Sequence, residues 1–298
     1  MRTKFLRILP VFAIGIALLI FSFSEQKTNT IPTPKGFVFV PMSTYSFNPD
    51  TGKGESISIQ AFYISETEIT NAQYNEFLND LKAQGKTNEY KIAFPDTNNW
   101  NSNDFNISIL KSFYHSGKSF ENHPVVNISY EGAMLYCKWL SENYEKKNGI
   151  KLQSDFRLPD KQEWDFVSKF DAKTSFGPYI FFVETEENKR TCNFHKVDQE
   201  ALFFNDSTQK VEYRTGRENI NIRGRVSSPM SVKQFQPNSF GLYDIYGNVA
   251  EMTNVKGIAL GGSFNSYGGD IISEKPTHYN RSSCEVGFRV VMTALSSK

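Results

Sequence analysis

Residues 238–251, Asn-Ser-Phe-Gly-Leu-Tyr-Asp-Ile-Tyr-Gly-Asn-Val-Ala-Glu, constrain this chain more than any other stretch. Gly241 and Gly247 interrupt an apolar run, with Phe240, Tyr243 and Tyr246 set around them. Two carboxylates, Asp244 and Glu251, bracket a Gly-Asn pair. A plain strand has no use for that pair, and Gly247 would weaken a plain helix. The stretch therefore reads as a strand end followed by a tight polar turn able to hold an ion.

Composition narrows the setting. The chain has 298 residues and a net charge of +1, with its basic residues scattered, so nothing in the balance points to nucleic acid or an acidic partner. Its 26 Phe and 14 Tyr, spread among many Asn, Ser and Gly, suggest a loop-rich fold pinned by large side chains. Cys137, Cys192 and Cys284 are isolated, so no CxxC pair and no zinc spacing exists. Two readings stay open for them: one disulfide with a thiol left over, or three small buried hydrophobes.

The first residues read as a targeting segment. Arg2, Lys4 and Arg7 precede an apolar run from Ile8 to Phe23, and Ser22-Phe-Ser24 offers a small-x-small cleavage pattern. Residues 1–24 are thus expected to be a secretory signal. The alternative is an uncleaved anchor, because the run approaches the ~20 residues that span a bilayer. No Cys lies near its end to support a lipoprotein route. Residues 25–35, with Pro32 and Pro34, read as a linker, and 36–298 as the folded part.

Within that part, Phe37-Val-Phe-Val40 predicts a strand and the alternation from Ile57 to Tyr63 a second. Thr70 caps a helix carrying Tyr74, Phe77, Leu78 and Leu81, which Gly85 ends. Residues 86–122, rich in Asn and weakly periodic, read as a long loop. Ser129 caps a second helix with Ala133, Cys137, Leu140 and Tyr144 on one face, closed by Gly149. Asp160 and Glu163 form a capping box for a short third helix holding Trp164 and Val167. Residues 171–237 give little beyond aromatic runs at 180–183 and 202–204. Residues 257–264 predict a strand ending in a glycine turn, and 287–292 a closing strand.

The order of these segments carries a resemblance. Phe62 to Thr70 with Tyr74 and Phe77, His123-Pro-Val-Val with Ser129 and Ala133 to Trp139, Phe156-Arg-Leu-Pro with Glu163-Trp164, Asn238 to Glu251, Gly261-Gly-Ser-Phe and Gly287-Phe-Arg occur in one sequence. Together they resemble the sulfatase-modifying-factor family, that of the formylglycine-generating enzyme, over residues 36–293. The resemblance implies an α+β, C-type-lectin-like domain, loop-rich with short strands and a few helices, and bound calcium. Catalytic members oxidise a cysteine of an unfolded sulfatase with oxygen and a copper ion held by two cysteines after the Gly-Gly-Ser turn. Other members serve ergothioneine biosynthesis beside an iron-binding domain, or act structurally in gliding-motility and secretion machinery.

Carried onto this chain, the resemblance places the first copper cysteine at Ser266 and the second near Ile271. A serine hydroxyl is a poor ligand for copper(I), and isoleucine is none, so no copper site and no catalytic residue is expected. His115, His123, His195 and His278 are not paired at helical spacing, and no nucleophile elbow exists. Calcium is expected on Asp244 and Glu251 with the carbonyls of Gly247 and Val249, matching the family's ligands. Without the resemblance, Asp244 and Glu251 read as a turn cap and a surface charge. A second calcium site would begin at Asn193, with Asp206 as its acidic partner, and Ser263 would line a binding pocket at the glycine turn. Ala250 and Met252 stand where the family carries two tryptophans. The sequence thus reads as an exported, non-catalytic envelope protein, a scaffold or binding component of secretion or gliding type with envelope proteins as partners. The alternatives are a divergent oxidase or maturation enzyme, and a calcium-dependent lectin-like module.

Overall fold

A computed structural model describes residues 32–46, 56–100, 107–151, 155–169, 192–194, 202–205, 207–213, 228–266, 270–271 and 275–293. All of them lie in one compact unit, 31–295. The targeting segment, most of the linker, His195, Asp206 and the aromatic run 180–183 lie outside the described residues.

The helices begin and end where local chemistry dictates. Helix α1 (Asn71–Ala83) starts with a full capping box: the Thr70 hydroxyl accepts from Gln73 N–H, and the Gln73 side chain accepts from Thr70 N–H. The long helix α4 (Tyr130–Asn148) is capped by Ser129 and stops at Gly149, in left-handed backbone at φ 63°. Helix α5 (Lys161–Lys169) opens with the expected box, Asp160 Oδ1 accepting from Glu163 N–H at 2.8 Å and Glu163 Oε2 from Asp160 N–H at 3.0 Å.

The 86–122 stretch is not simply a loop. It contains α2 (Thr87–Ala93), α3 (Ile107–Phe113) and a 3-10 turn at Lys118–Phe120. Each of the two helices is seven residues long and buries one side chain, Ala93 or Leu110, so no apolar period is written into either.

Two four-stranded sheets organise the rest. The first runs β1 (Phe37–Val40), β4 (Phe62–Ser65), β12 (Val291–Thr293) and β5 (Phe156–Arg157), every pair antiparallel. The second runs β10 (Thr277–His278), β9 (Ile258–Leu260), β8 (Ala250–Met252) and β11 (Val286–Gly287), with β11 parallel to β8. Strand β3 (Ser56–Ile59) pairs with β2 (Ser43–Ser46), and β6 (Leu202–Asn205) with β7 (Lys210–Tyr213). The strand expected over 57–63 is therefore two, broken at Gln60-Ala61 and serving two different sheets. The closing strand is likewise split, and residues 238–249 form successive bends, with strand beginning only at Ala250.

Between β11 and β12 the chain alternates strictly. Phe288, Val290 and Met292 enter one core with α1 and α4, while Val291 enters a second core with Trp164, Leu260 and Ile271. This is the period of two expected of extended chain buried on both faces. In the first core Tyr74 stacks on Tyr136 at 5.6 Å, and Phe288 meets Tyr136 edge-on at 5.4 Å. On α4 the buried positions include Tyr136 and Trp139, whereas Leu140 and Tyr144, expected on that face, are only partly covered. A third cluster holds Trp100, Tyr114, Val249, Phe264 and Cys284.

Candidate functional site

Arg289 falls on the other side of the alternating segment, with no exposed surface. A guanidinium there must be paired or the chain could not afford to bury it. Its partner is Glu251, also fully buried: Arg289 Nη2 donates to Oε1 at 2.7 Å and Nε to both oxygens at 3.0 Å. Trp164 Nε1 donates to Glu251 Oε2 at 2.9 Å. Arg289 also donates to the carbonyls of Ser65 and Tyr243, each at 2.8 Å. One ion pair thus ties together β4, α5, the 238–251 stretch and the closing segment. Burial works against the Arg289 charge, yet Glu251 holds the guanidinium above its ordinary range.

Two more carboxyls share this interior. Glu68, fully buried, accepts from Asn248 Nδ2 at 3.0 Å through Oε1, while Oε2 has no partner among the described residues. Burial, and next the charge of Asp244, push its carboxyl well above the usual range. Asp244 takes left-handed backbone at φ 52°, and its Oδ2 accepts from Lys233 N–H at 2.8 Å. Burial raises its pKa too, partly offset by that N–H and by Arg289.

Asn248 explains the Gly-Asn pair. It sits at φ 56°, a region Asn tolerates, and its side chain is fully employed. Oδ1 accepts from Met230 N–H at 2.8 Å and Asn193 Nδ2 at 3.1 Å, while Asn193 O accepts from Asn248 N–H at 2.7 Å. Gly247 is required because a Cβ there would collide with the Asn193 carbonyl. Asn193, expected to open a second calcium site, is here the structural mate of Asn248, and its Nδ2 also reaches Ser228 O at 3.0 Å.

The expected calcium set is brought together only in part. Asp244 and Glu251 face one buried cluster, so the surface-charge reading of Glu251 is corrected: its exposure is 0%. Each Glu251 oxygen, however, already accepts two protein donors. A carboxylate has about four lone-pair sites. The residues present therefore do not fit a calcium ligated by Glu251 unless Arg289 or Trp164 yields a place.

The glycine turn lies over the second core. Gly261 and Gly262 have φ of 92° and 71°, and a Cβ on Gly262 would stand 2.8 Å from Ile271 Cγ1. Ser263 is buried, and its Oγ donates to Glu285 Oε2 at 3.0 Å. Asn265 Nδ2 reaches Glu285 Oε1 at 3.1 Å. Ser266 Oγ accepts from Ser263 N–H at 2.9 Å, so the hydroxyl at the first cysteine position closes the turn. Ile271, at the second, is 1% exposed and belongs to the second core. Ser263 is thus a buried brace of the turn.

The thiols are elsewhere, and apart. Cys137 lies in the first core, Cys192 in the second and Cys284 in the third; all are buried and none is disulfide-bonded. Burial pushes the Cys137 thiol well above its usual value. No two of them share a cluster.

Residues 22–294 match the sulfatase-modifying factor enzyme 1-like domain. The chain belongs to the sulfatase-modifying-factor family. It is 22% identical over 256 residues to the formylglycine-generating enzyme of Mus musculus, covering 76% of this chain and 58% of the relative. It therefore spans less than two thirds of that protein. It is 24% identical over 251 residues to a Bos taurus protein named inactive C-alpha-formylglycine-generating enzyme 2, covering 76% of this chain and 71% of the relative. Among solved structures it is similar to CarF (TM-score 0.54, 21% identity, 88% of this chain and 99% of that one). It is also similar to PvdO from Pseudomonas aeruginosa (TM-score 0.53, 16% identity, 89% and 98%). These structural likenesses bear on fold, and the α+β, loop-rich architecture expected from sequence is the one observed.

Trp164, expected on the third helix, and Arg289, in the Gly287-Phe-Arg motif, share a bond to Glu251 that the sequence reading did not anticipate. The signal was available. An Arg inside the apolar run Phe288-Arg-Val-Val-Met292 needs a buried acid, and Val249-Ala-Glu-Met252 offers one.

Proposed function

We propose that this chain is a non-catalytic sulfatase-modifying-factor domain, exported to the cell envelope, where it serves as a scaffold or binding component. One observation carries the reading: its three thiols occupy three separate cores, while the copper positions hold a turn-closing Ser266 and a core Ile271. A copper(I) oxidase needs two thiolates that meet at one point. That some relatives carry the name inactive agrees with this, as a statement about them. Export rests on the charged and apolar pattern of residues 1–24.

The test is affinity purification of the full chain, N-terminal segment included, after cross-linking in its own cells. Recovery with components of an envelope machine supports the scaffold. Recovery with a sulfatase, or from the cytosolic fraction alone, overturns it. Calcium belongs to the proposal in a restricted form, because the ion must compete with Arg289 and Trp164 for Glu251. A melting temperature that rises with added calcium and falls with chelator supports the ion; an unchanged one assigns Glu251 to its protein donors.

A further inference from the structure

The start of the described chain is tied to the end of α4. Tyr144 Oη donates to the carbonyl of Pro32, and Phe37 N–H donates to that of Pro34 at 3.1 Å. The apolar run Ile8–Phe23, which follows Arg2, Lys4 and Arg7, ends nine residues before Pro32. Nine residues of fully extended chain reach about 30 Å at most. Wherever that run is lodged in a bilayer, the folded part is therefore held close to the bilayer surface, and a modest surface affinity is enough to dock it.

At this place the fold presents an apolar edge. Strand β1 is an outer strand of the first sheet, and Phe37 and Phe39 share one of its faces. Phe37 meets Phe156 at 5.3 Å, and Phe156 meets Tyr144 at 5.5 Å. Phe39 rests on Tyr63 at 5.3 Å and is still 49% exposed, and Met42, just past the strand, is 75% exposed. Single exposed apolar side chains are ordinary. These two prolong a continuous aromatic row, Tyr144–Phe156–Phe37–Phe39, that begins where the N-terminal chain is attached. Charge adds a sign to the same end. Lys35 lies between Pro32 and Phe37, Lys147 stands one helical turn past Tyr144, and Lys151 follows Ile150, which packs on the first core. All three are exposed and in no ion pair among the described residues. Asp155, beside Phe156, is exposed too, so three positive charges stand against one negative. A soluble anion would use the lysines and leave Phe39 and Met42 in water. An apolar peptide would leave the lysines idle. The headgroup region of an anionic bilayer takes both, apolar side chains entering it while lysines meet lipid phosphates.

We propose that this edge, with Phe39 and Met42 at its tip, docks on the surface of an anionic phospholipid bilayer beside the apolar run. The proposal rests on the export reading with residues 8–23 retained in the chain. Failure of that reading shows in the cell fractionation above; failure of the docking face shows only in the following experiment. The full chain is reconstituted in nanodiscs of phosphatidylcholine with or without phosphatidylglycerol, carrying a lipid spin-labelled near its headgroup. A fluorophore is attached at Met42→Cys or, for comparison, at Ile109→Cys on α3; the three native thiols are buried and do not compete for the label. The expected result is quenching at position 42 at least about fivefold stronger than at position 109, and stronger with phosphatidylglycerol than without it. The triple change Lys35→Glu, Lys147→Glu and Lys151→Glu should weaken quenching at position 42 by about fivefold or more in the anionic discs. Its Tm should be unchanged, because all three side chains are exposed. Equal quenching at the two positions, or an unaltered signal in the triple variant, would overturn the proposal. So would a label at position 42 that is shielded from aqueous iodide yet not quenched by the lipid, which would mean that the apolar run or a second copy covers the edge.

Discussion

At the residue scale the Arg289–Glu251 pair is the main determinant. Breaking one side of a buried pair leaves an uncompensated charge, so Arg289→Met should destabilise the fold by about 3–5 kcal/mol in urea melts. The double change Arg289→Met with Glu251→Gln should cost less than the sum of the two singles, since it removes the stranded carboxylate. His115 gives a pH signature. Both ring nitrogens are buried without partners among the described residues, and burial lowers its pKa to about 4 from an ordinary value near 6.5. The folded state thus resists protonation that the unfolded chain accepts. Its contribution is present above pH 6.5 and is lost as pH falls toward 4, by up to about 3 kcal/mol. Glu68 and Asp244 act in the opposite sense, because their raised values favour proton uptake by the folded state as pH falls. Comparing wild type with His115→Phe across pH 7 to 4 isolates the histidine: the variant should lose less stability over that window. An identical pH profile in the two proteins would contradict the assignment.

At the element scale, caps were legible and short helices were not. Thr70, Ser129 and Asp160 satisfy orphan N–H groups within three residues, so their chemistry is local and visible in sequence. Helices α2 and α3 owe their existence to tertiary anchors, such as Tyr74 Oη donating to Ala93 O at 2.9 Å, which no local pattern announces. The 238–251 stretch resembled a strand end because it is apolar, yet its apolar residues serve a bend whose positive-φ positions are Gly241, Asp244, Gly247 and Asn248. The glycine turn was legible in Gly261-Gly-Ser263; that Ser266 closes it was not, because its partner is the main-chain N–H of Ser263. Ser266→Ala should therefore cost about 1 kcal/mol by losing that bond. Gly262→Ala should cost more, about 1–3 kcal/mol, from left-handed strain and the clash with Ile271. Equal melting temperatures for wild type and Gly262→Ala would contradict this view of the turn.

At the scale of the whole molecule, two cores meet along one extended segment. Phe288, Val290 and Met292 serve one core, Val291 the other, and Arg289 locks the junction. This device holds the fold together, and beside it the Gly261-Gly262 turn is closed by Ser266 over the buried Ile271. The most direct test is mass spectrometry of a sulfatase-motif cysteine peptide incubated with purified full-length protein, copper(I) and oxygen. The account predicts that the cysteine persists and no formylglycine forms, in wild type and in Ser266→Cys alike, because Ile271 supplies no second thiolate. Formylglycine formed above the protein-free control by the wild-type chain would contradict it.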